Sequence, residues 1–474
     1  MLVNKAGAGH VAQTSLEIPD PETVRWDWKL KWREALNAAV CLVQLERLEL
    51  KAVQGLLLPA RVQTDSGEVV DPTFQSYLIA RFQELGAIDP AYFFRELDRR
   101  TDTTSDERDR EGIRQSLLLA LGDYDSLSQL EQDRADRLRK LEMLYTDSVD
   151  SGVRSAAGWA WAEWRRQKNE KPDDLRTLDQ AGINHAGVNN WYVNSQKQSY
   201  AIIRDRSPWM ATRFVENESV DKLEPMPPFE HEFAIATHEV TASEFDRFLQ
   251  ASDRDEFPTT VEDREQRNTD IYSADRDGPI NSIVWYNAVA YCNWLSKQDG
   301  IPPDDWCYAP NQEGRYDEGM TITANFLELP GYRLPTREEW EFVCRAGGTT
   351  QFGFGEAEDY RLISRYAWWR DNSHGDTARR VGLLRPNRFG LFDTHGNLWE
   401  LTNSRNDSTA LGAAVNSQTR WVRRGGYFKT TDPFSLGLCD TVLEGEPPGL
   451  VGNDTDAVES RSVFIGFRPC RTRR

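Results

Sequence analysis

The chain predicts an α+β protein in two parts: an all-α N-terminal domain, either helical repeats or a bundle, and a loop-rich mixed domain after it. Three observations carry this. Residues 20–170 keep a helical apolar period with few strand signals. A polar stretch, Lys168-Asn169-Glu170-Lys171-Pro172-Asp173-Asp174, then breaks the pattern. Beyond it, short alternating runs, isolated helices and many Gly and Pro turns take over. The boundaries read as 1–20 disordered start, 21–170 helical domain, 171–185 linker and 186–474 second domain.

Within the helical part a motif repeats. Gly112-Ile113-Arg114-Gln115-Ser116-Leu117-Leu118-Leu119-Ala120 returns as Gly152-Val153-Arg154-Ser155-Ala156-Ala157-Gly158-Trp159-Ala160. The run from Thr73 to Ala80 shares Gln75, Ser76 and Ala80 with the middle copy, at the same offset. A period of about 40 residues with an Arg early in the second helix is the style of HEAT-like helix pairs, which hide their apolar faces by stacking. A plain bundle with similarly buried segments is the alternative. Asp123 and Asp150 fall in turns between helices. His10 is the one histidine before the linker, so this part offers no catalytic constellation. A module of this kind serves contacts or regulation.

In the second domain, Asn190–Asn194 and Tyr200–Ile203 read as its first strands. His231–Val240 alternates as a strand, and Thr241 or Ser243 caps a helix through Phe245, Phe248 and Leu249. Ile283–Ser296 is amphipathic, with Trp285, Ala288, Val289, Cys292 and Leu295 on one stripe. Thr336 and Glu339 form a capping box that opens a third helix. Val463–Arg468 reads as a C-terminal strand.

A net charge of −19 argues against nucleic acid and against anionic membrane surfaces as partners. No apolar run reaches membrane-spanning length, and Met1–Ser15 lacks the basic start and apolar stretch of a signal peptide. A cytoplasmic protein is expected. Six Cys in so long a chain do not make a disulfide framework. There is no Gly-x-Ser-x-Gly elbow, no His-Glu-x-x-His and no phosphate loop.

Four segments recur in a telling order: Gly331-Tyr332-Arg333-Leu334-Pro335-Thr336 running into Glu338-Glu339-Trp340-Glu341; Gly390-Leu391-Phe392-Asp393; Gly396-Asn397-Leu398-Trp399-Glu400; and Arg424-Gly425-Gly426 with Gly466-Phe467-Arg468. Glu239-Val240-Thr241 and the run from Val284 to Leu295 extend the pattern upstream. In order and spacing, residues 186–474 closely resemble the formylglycine-generating enzyme (sulfatase-modifying factor) family. The resemblance implies the compact C-type-lectin-like variant of the α+β class.

It also implies a structural calcium at Asp393–Glu400, held by the side chains of Asp393 and Glu400 and the carbonyl oxygens of Gly396 and Leu398. Carboxylates around a tight glycine turn suit a hard cation. The alternative is that Glu400 hydrogen-bonds the loop and Asp393 is solvated. The family's other calcium site is expected to be lost, because Trp368 stands where a ligating Asn belongs.

The family's oxidases carry Gly-Gly-Ser followed by two cysteines five apart, whose thiolates hold copper(I). Here Tyr427 replaces the serine, and Thr430 and Ser435 stand in the cysteine positions. Hydroxyls are poor ligands for a soft ion, so copper-dependent formylglycine formation is not expected. Cys439 is one nearby thiol, not a pair. Cys292 and Cys344 match positions disulfide-bonded in secreted relatives, with Cys470 and Cys439 within a residue or so of their partners. In a reducing cytoplasm, buried free thiols in close pairs are expected instead.

The resemblance implies that the stretch between the Gly-Gly turn and the final strand, here Lys429 to Ser462, lines the ligand pocket. Arg423, Arg424, Arg461 and Arg468 either line a pocket for an anion or pair with nearby acids. Two functions follow. The first is a recognition or structural protein with a protein or peptide partner, bound by the helical part or the pocket. The second is an oxidoreductase-type enzyme on a protein or peptide substrate, reusing Trp399, Tyr427, Cys439 and Arg461.

Overall fold

A computed structural model describes residues 54–473 apart from 65–66, 85–89, 99–105, 125–132, 171–187 (Asp179 excepted), 205–208, 214–221, 260–274, 357–359, 375–376, 406–413, 417–418, 420 and 432–463. The expected disordered start and the first thirty or so residues of the helical domain lie outside the described residues.

The helical part carries one addition to the predicted picture. A hairpin, β1 (Ala60–Thr64) with β2 (Gly67–Asp71), precedes the helices. Its reason is tertiary: the N–H of Val70 donates to Thr349 Oγ1, and Thr349 N–H donates back to Val70 O at 2.8 Å. Five helices follow, α1 (Thr73–Glu84), α2 (Pro90–Asp98), α3 (Glu107–Gly122), α4 (Arg134–Asp147) and α5 (Ser151–Arg166). The three repeated segments fall on α1, α3 and α5, the alternate helices. These lie side by side, α3 between the other two. Leu78, Phe82, Leu117, Leu118, Val153, Ala157 and Trp164 form their shared core. Asp106 accepts from Arg108 N and Asp150 from Val153 N, each capping the N-terminus of its helix.

The second part is built on a five-stranded antiparallel sheet. Its elements in chain order are β3 (Trp191–Val193), β4 (Ser199–Ile203), the hairpin β5 (Trp209–Arg213) and β6 (Lys222–Met226), β7 (Glu232–Ala236), α6 (Ala242–Gln250), α7 (Trp285–Gln298), β8 (Tyr308–Ala309), β9 (Thr321–Ile322), β10 (Tyr332–Arg333) and α8 (Arg337–Arg345). Then come β11 (Ala367–Trp368), β12 (His395–Gly396), β13 (Trp399–Arg405), β14 (Trp421–Arg424), β15 (Ile465–Gly466) and β16 (Cys470–Arg473). The sheet order is β10-β16-β7-β4-β3, and β14-β13-β15 form a second sheet.

Strand alternation divides the large sheet between two cores. Tyr200, Ile202, Ala234 and Ala236 face α6 and α7. Ala201, Ile203, Phe233 and Ile235 face Phe342 and Val343 of α8. Both capped helices start where expected: Thr241–Glu244 and Thr336–Glu339 each form a complete capping box. The amphipathic helix starts at Trp285 rather than Ile283. The expected strand 463–468 shrinks to β15, and the longer C-terminal strand is β16, which pairs with β7.

The two parts meet through polar contacts. Asp179, in the stretch read as a linker, is 3% exposed and accepts from Arg154 Nη2 at 2.5 Å and Tyr145 Oη at 3.0 Å. The Arg154 guanidinium lies 3.8 Å from the Tyr145 ring centroid and 3.9 Å from that of Trp191. Asp123, at the end of α3, pairs with both Arg365 and the buried Arg385. Gly390 (φ 85°) approaches the helices so closely that a Cβ there would sit 2.4 Å from Ser151 O. Among the described residues no helix is long and apolar enough to cross a membrane.

Candidate functional site

The stretch from Gly390 to Glu400 leads into β13, and its polar residues converge on one buried cluster. At Gly396 the chain takes φ 82°, and a Cβ would meet Trp368 O at 1.9 Å, so only glycine lets β12 lie against β11. Asp393 and Asn397 also adopt left-handed φ, 56° and 60°. Such strained positions persist where surrounding contacts over-determine them.

Those contacts are specific. Glu400 takes two 2.7 Å hydrogen bonds from Arg468, one from Nη2 to Oε1 and one from Nε to Oε2. Trp340 Nε1 adds a third at 2.8 Å. Arg468 also donates to the carbonyls of Ala236, Thr237 and Phe392, so it ties β7 to the loop. Glu239 Oε2 accepts from Asn397 Nδ2 at 2.6 Å, and Asn397 Oδ1 accepts from Arg379 N. Asp393 Oδ2 accepts from Gly382 N at 2.7 Å.

Two carboxylate oxygens are left over. Glu239 Oε1 is buried with no hydrogen-bond partner; Asp393 Oδ1 and Trp368 Nε1 make no hydrogen bond of normal length, but the Trp368 N–H still acts on the Asp393 carboxylate. Burial, with the neighbouring charges of Glu400 and Asp393, pushes the Glu239 carboxyl well above its ordinary range. Burial pushes Asp393 up to about 6, against the pull of the Gly382 N–H, Arg468 and the Trp368 N–H. Of the expected calcium ligands, Glu400 is thus already engaged by Arg468 and Trp340, while Asp393 keeps an open donor. Glu239, which sequence reasoning did not place in the site, supplies a second. The signal that points to it is a carboxylate at the end of an apolar strand, just before a helix cap.

Of the expected pocket residues, Trp399 lies at the start of β13, and Tyr427 and Thr430 follow the Gly425-Gly426 turn. Trp399 opens β13 and is 8% exposed. The Tyr427 ring stacks 6.4 Å from Trp399 and 5.0 Å from Phe464, after the Gly425-Gly426 turn. Thr430 is half-buried, its N–H donating to Tyr427 O and its carbonyl accepting from Arg370 N. Ser435, Cys439 and Arg461 lie outside the described residues. Arg468 and Arg424 pair with acids, Glu400 and Glu341 respectively.

Cys292, Cys307 and Cys470 are free, buried thiols, and Cys344 is buried as well. Burial raises Cys292 and Cys470 well above the ordinary thiol value and Cys307 to about 12. Cys344 Sγ lies 3.7 Å from His395 Nε2, a pairing the sequence did not suggest. Cys344 is 0% and His395 2% exposed, so no substrate reaches them.

A loop-rich domain with capped helices around this Glu–Arg cluster is of the sulfatase-modifying type. The chain belongs to the sulfatase-modifying factor enzyme 1-like domain family, whose model matches residues 213–472. It is 28% identical over 145 residues to the formylglycine-generating enzyme of Mycobacterium tuberculosis, covering 29% of this chain and 36% of that one. It is 26% identical over 194 residues to the inactive C-alpha-formylglycine-generating enzyme 2 of Bos taurus, covering 36% of this chain and 52% of that one. The chaperone protein LppX of Paenibacillus barcinonensis is 27% identical over 141 residues, covering 26% of this chain and 50% of that one. The chain therefore spans about half or less of the length of these relatives. Among solved structures, Treponema denticola variable protein 1 aligns with a TM-score of 0.40 at 19% identity, over 58% of this chain and 95% of that one.

Proposed function

We propose that this protein is a recognition or scaffold member of the family that does not oxidise cysteine. The observation that carries the reading is the turn after Gly425-Gly426. Tyr427 packs its ring on Trp399 and Phe464, and by the family resemblance it takes the serine position, with Thr430 and Ser435 in the positions of the two thiols. Copper(I) needs sulfur donors, and hydroxyls do not supply them. The relatives include one named formylglycine-generating enzyme and one named inactive C-alpha-formylglycine-generating enzyme 2.

The partner in this reading is a protein or peptide, held by the helical part or by the surface around Tyr427. Calcium belongs to the same reading as a structural ion. The unpartnered Glu239 Oε1 and the Asp393 carboxylate, which Trp368 only partly engages, are hard oxygen donors near the Gly396 turn, and a divalent cation would neutralise them. The buried free thiols of Cys292, Cys307 and Cys470 suit a cytoplasmic setting.

The test is incubation of copper-supplemented protein with a Cys-x-Pro-x-Arg peptide, dioxygen and a thiol reductant, followed by mass spectrometry. The peptide is expected unchanged. Conversion of its thiol to an aldehyde would sink the reading.

A further inference from the structure

A cavity of about 530 Å³ lies where the N-terminal hairpin and the starts of α3 and α5 face the second domain. It is separate from the Trp399–Tyr427 surface. Its walls bring Arg61 of β1 and Arg108 of α3 towards Arg388, which sits in the loop just before Gly390. Volumes of this size, at the seam between two parts of a chain, are where small molecules bind.

Arg388 is fixed from both sides. Gln115 Nε2 donates to Asn387 O at 2.8 Å, and Ser151 Oγ donates to Phe389 O at 2.8 Å. The terminal Nη2 of Arg388 is nevertheless buried with no hydrogen-bond partner. Burial, and the nearby charges of Arg61 and Arg108, hold this guanidinium down at about 10. Five acids line the wall, Glu68 and Glu107 among them, and three of the five are engaged elsewhere. Asp106 caps α3, Glu111 pairs with Arg114, and Asp150 caps α5 and accepts from Asn190 Nδ2. Arg61 reaches Asp109 only at 3.6 Å.

A buried cationic donor without an acceptor is costly, and an incoming oxyanion removes that cost. The planar fork of Arg matches carboxylate and phosphate oxygens. We propose that the junction cavity binds a small oxyanion, a carboxylate or phosphate compound, with Arg388 as its main donor and Arg61 as its second. Arg61 comes from the N-terminal part and Arg388 from the second domain, so the bound anion clamps one to the other.

The test uses the full chain with sodium phosphate and sodium succinate as separate probes, and sodium chloride at matched ionic strength as control. Calorimetric titration and thermal shift are expected to show saturable binding of at least one probe and none of chloride. The probe that saturates tells phosphate from carboxylate. Arg388→Met is expected to weaken the affinity at least about tenfold. Arg61→Gln, at a partly exposed residue, should weaken it about threefold. If Arg388→Met does not fold, Arg61→Gln decides. Failure of both probes to saturate, or wild-type affinity in Arg61→Gln, overturns the proposal.

Discussion

Arg468 and Glu400, 68 residues apart in the chain, face each other in the core through two parallel hydrogen bonds of 2.7 Å. The pair joins the Gly-Phe-Arg and Trp-Glu motifs into one contact, with Trp340 completing it. Removing one partner strands a charge that water cannot reach. Glu400→Gln or Arg468→Met is expected to cost about 3–5 kcal/mol, measured by urea unfolding. Arg468→Met combined with Glu400→Leu should recover part of the loss. Single losses below about 1 kcal/mol would mean that the pair is open to solvent.

Arg333 and Glu339 make a second such pair, Nη1–Oε2 and Nη2–Oε1 both at 2.7 Å. Burial raises the Glu339 carboxyl, but the Arg333 charge and hydrogen bonds, with His231 at 2.8 Å, overturn this and hold it at about 2. A depressed folded-state value means stability that is complete above the ordinary Glu range near 4.5 and is lost as pH falls towards 2. Glu339→Gln is expected to be less stable at neutral pH and to show a shallower fall between those values. Melting temperatures across the acid range check this; parallel curves for the two proteins refute it.

Gly390→Ala is expected to destabilise the whole chain by about 1–3 kcal/mol. Alanine must hold φ 85° and push its methyl at Ser151 O, 2.4 Å away. Calorimetry should show one lowered transition. An unchanged midpoint would mean that the loop and α5 do not touch.

Calcium at a hundredfold excess over its dissociation constant should add about 2.7 kcal/mol of stability, reversed by chelator. Asp393→Ala should abolish the difference. If calcium leaves the wild-type melting curve unmoved, the cation reading of Asp393 fails.

Local chemistry was well legible in the sequence. Thr336 and Glu339 satisfy each other's backbone groups within one turn, and that spacing is readable in any chain. The alternate helices carry the repeated segments because burial recurs at each stacking step. What stayed hidden depends on distance. Nothing near Asp179 tells that Arg154 waits across a core, so a polar stretch reads as a linker. The hairpin at Ala60–Asp71 is short and borrows Thr349 for support. Glu239 looks like the tail of a strand until Asn397 folds back on it.

The seam held by Asp123, Arg385, Ser151 and Gly390 has a practical consequence. The family match begins at residue 213, yet its loops lean on helices that precede it. A fragment cut to the family limits would bare Arg385 and Arg365 without their shared acid and lose the wall behind Phe389. Truncation at that point is expected to destabilise what remains, for want of the helices its loops rest on.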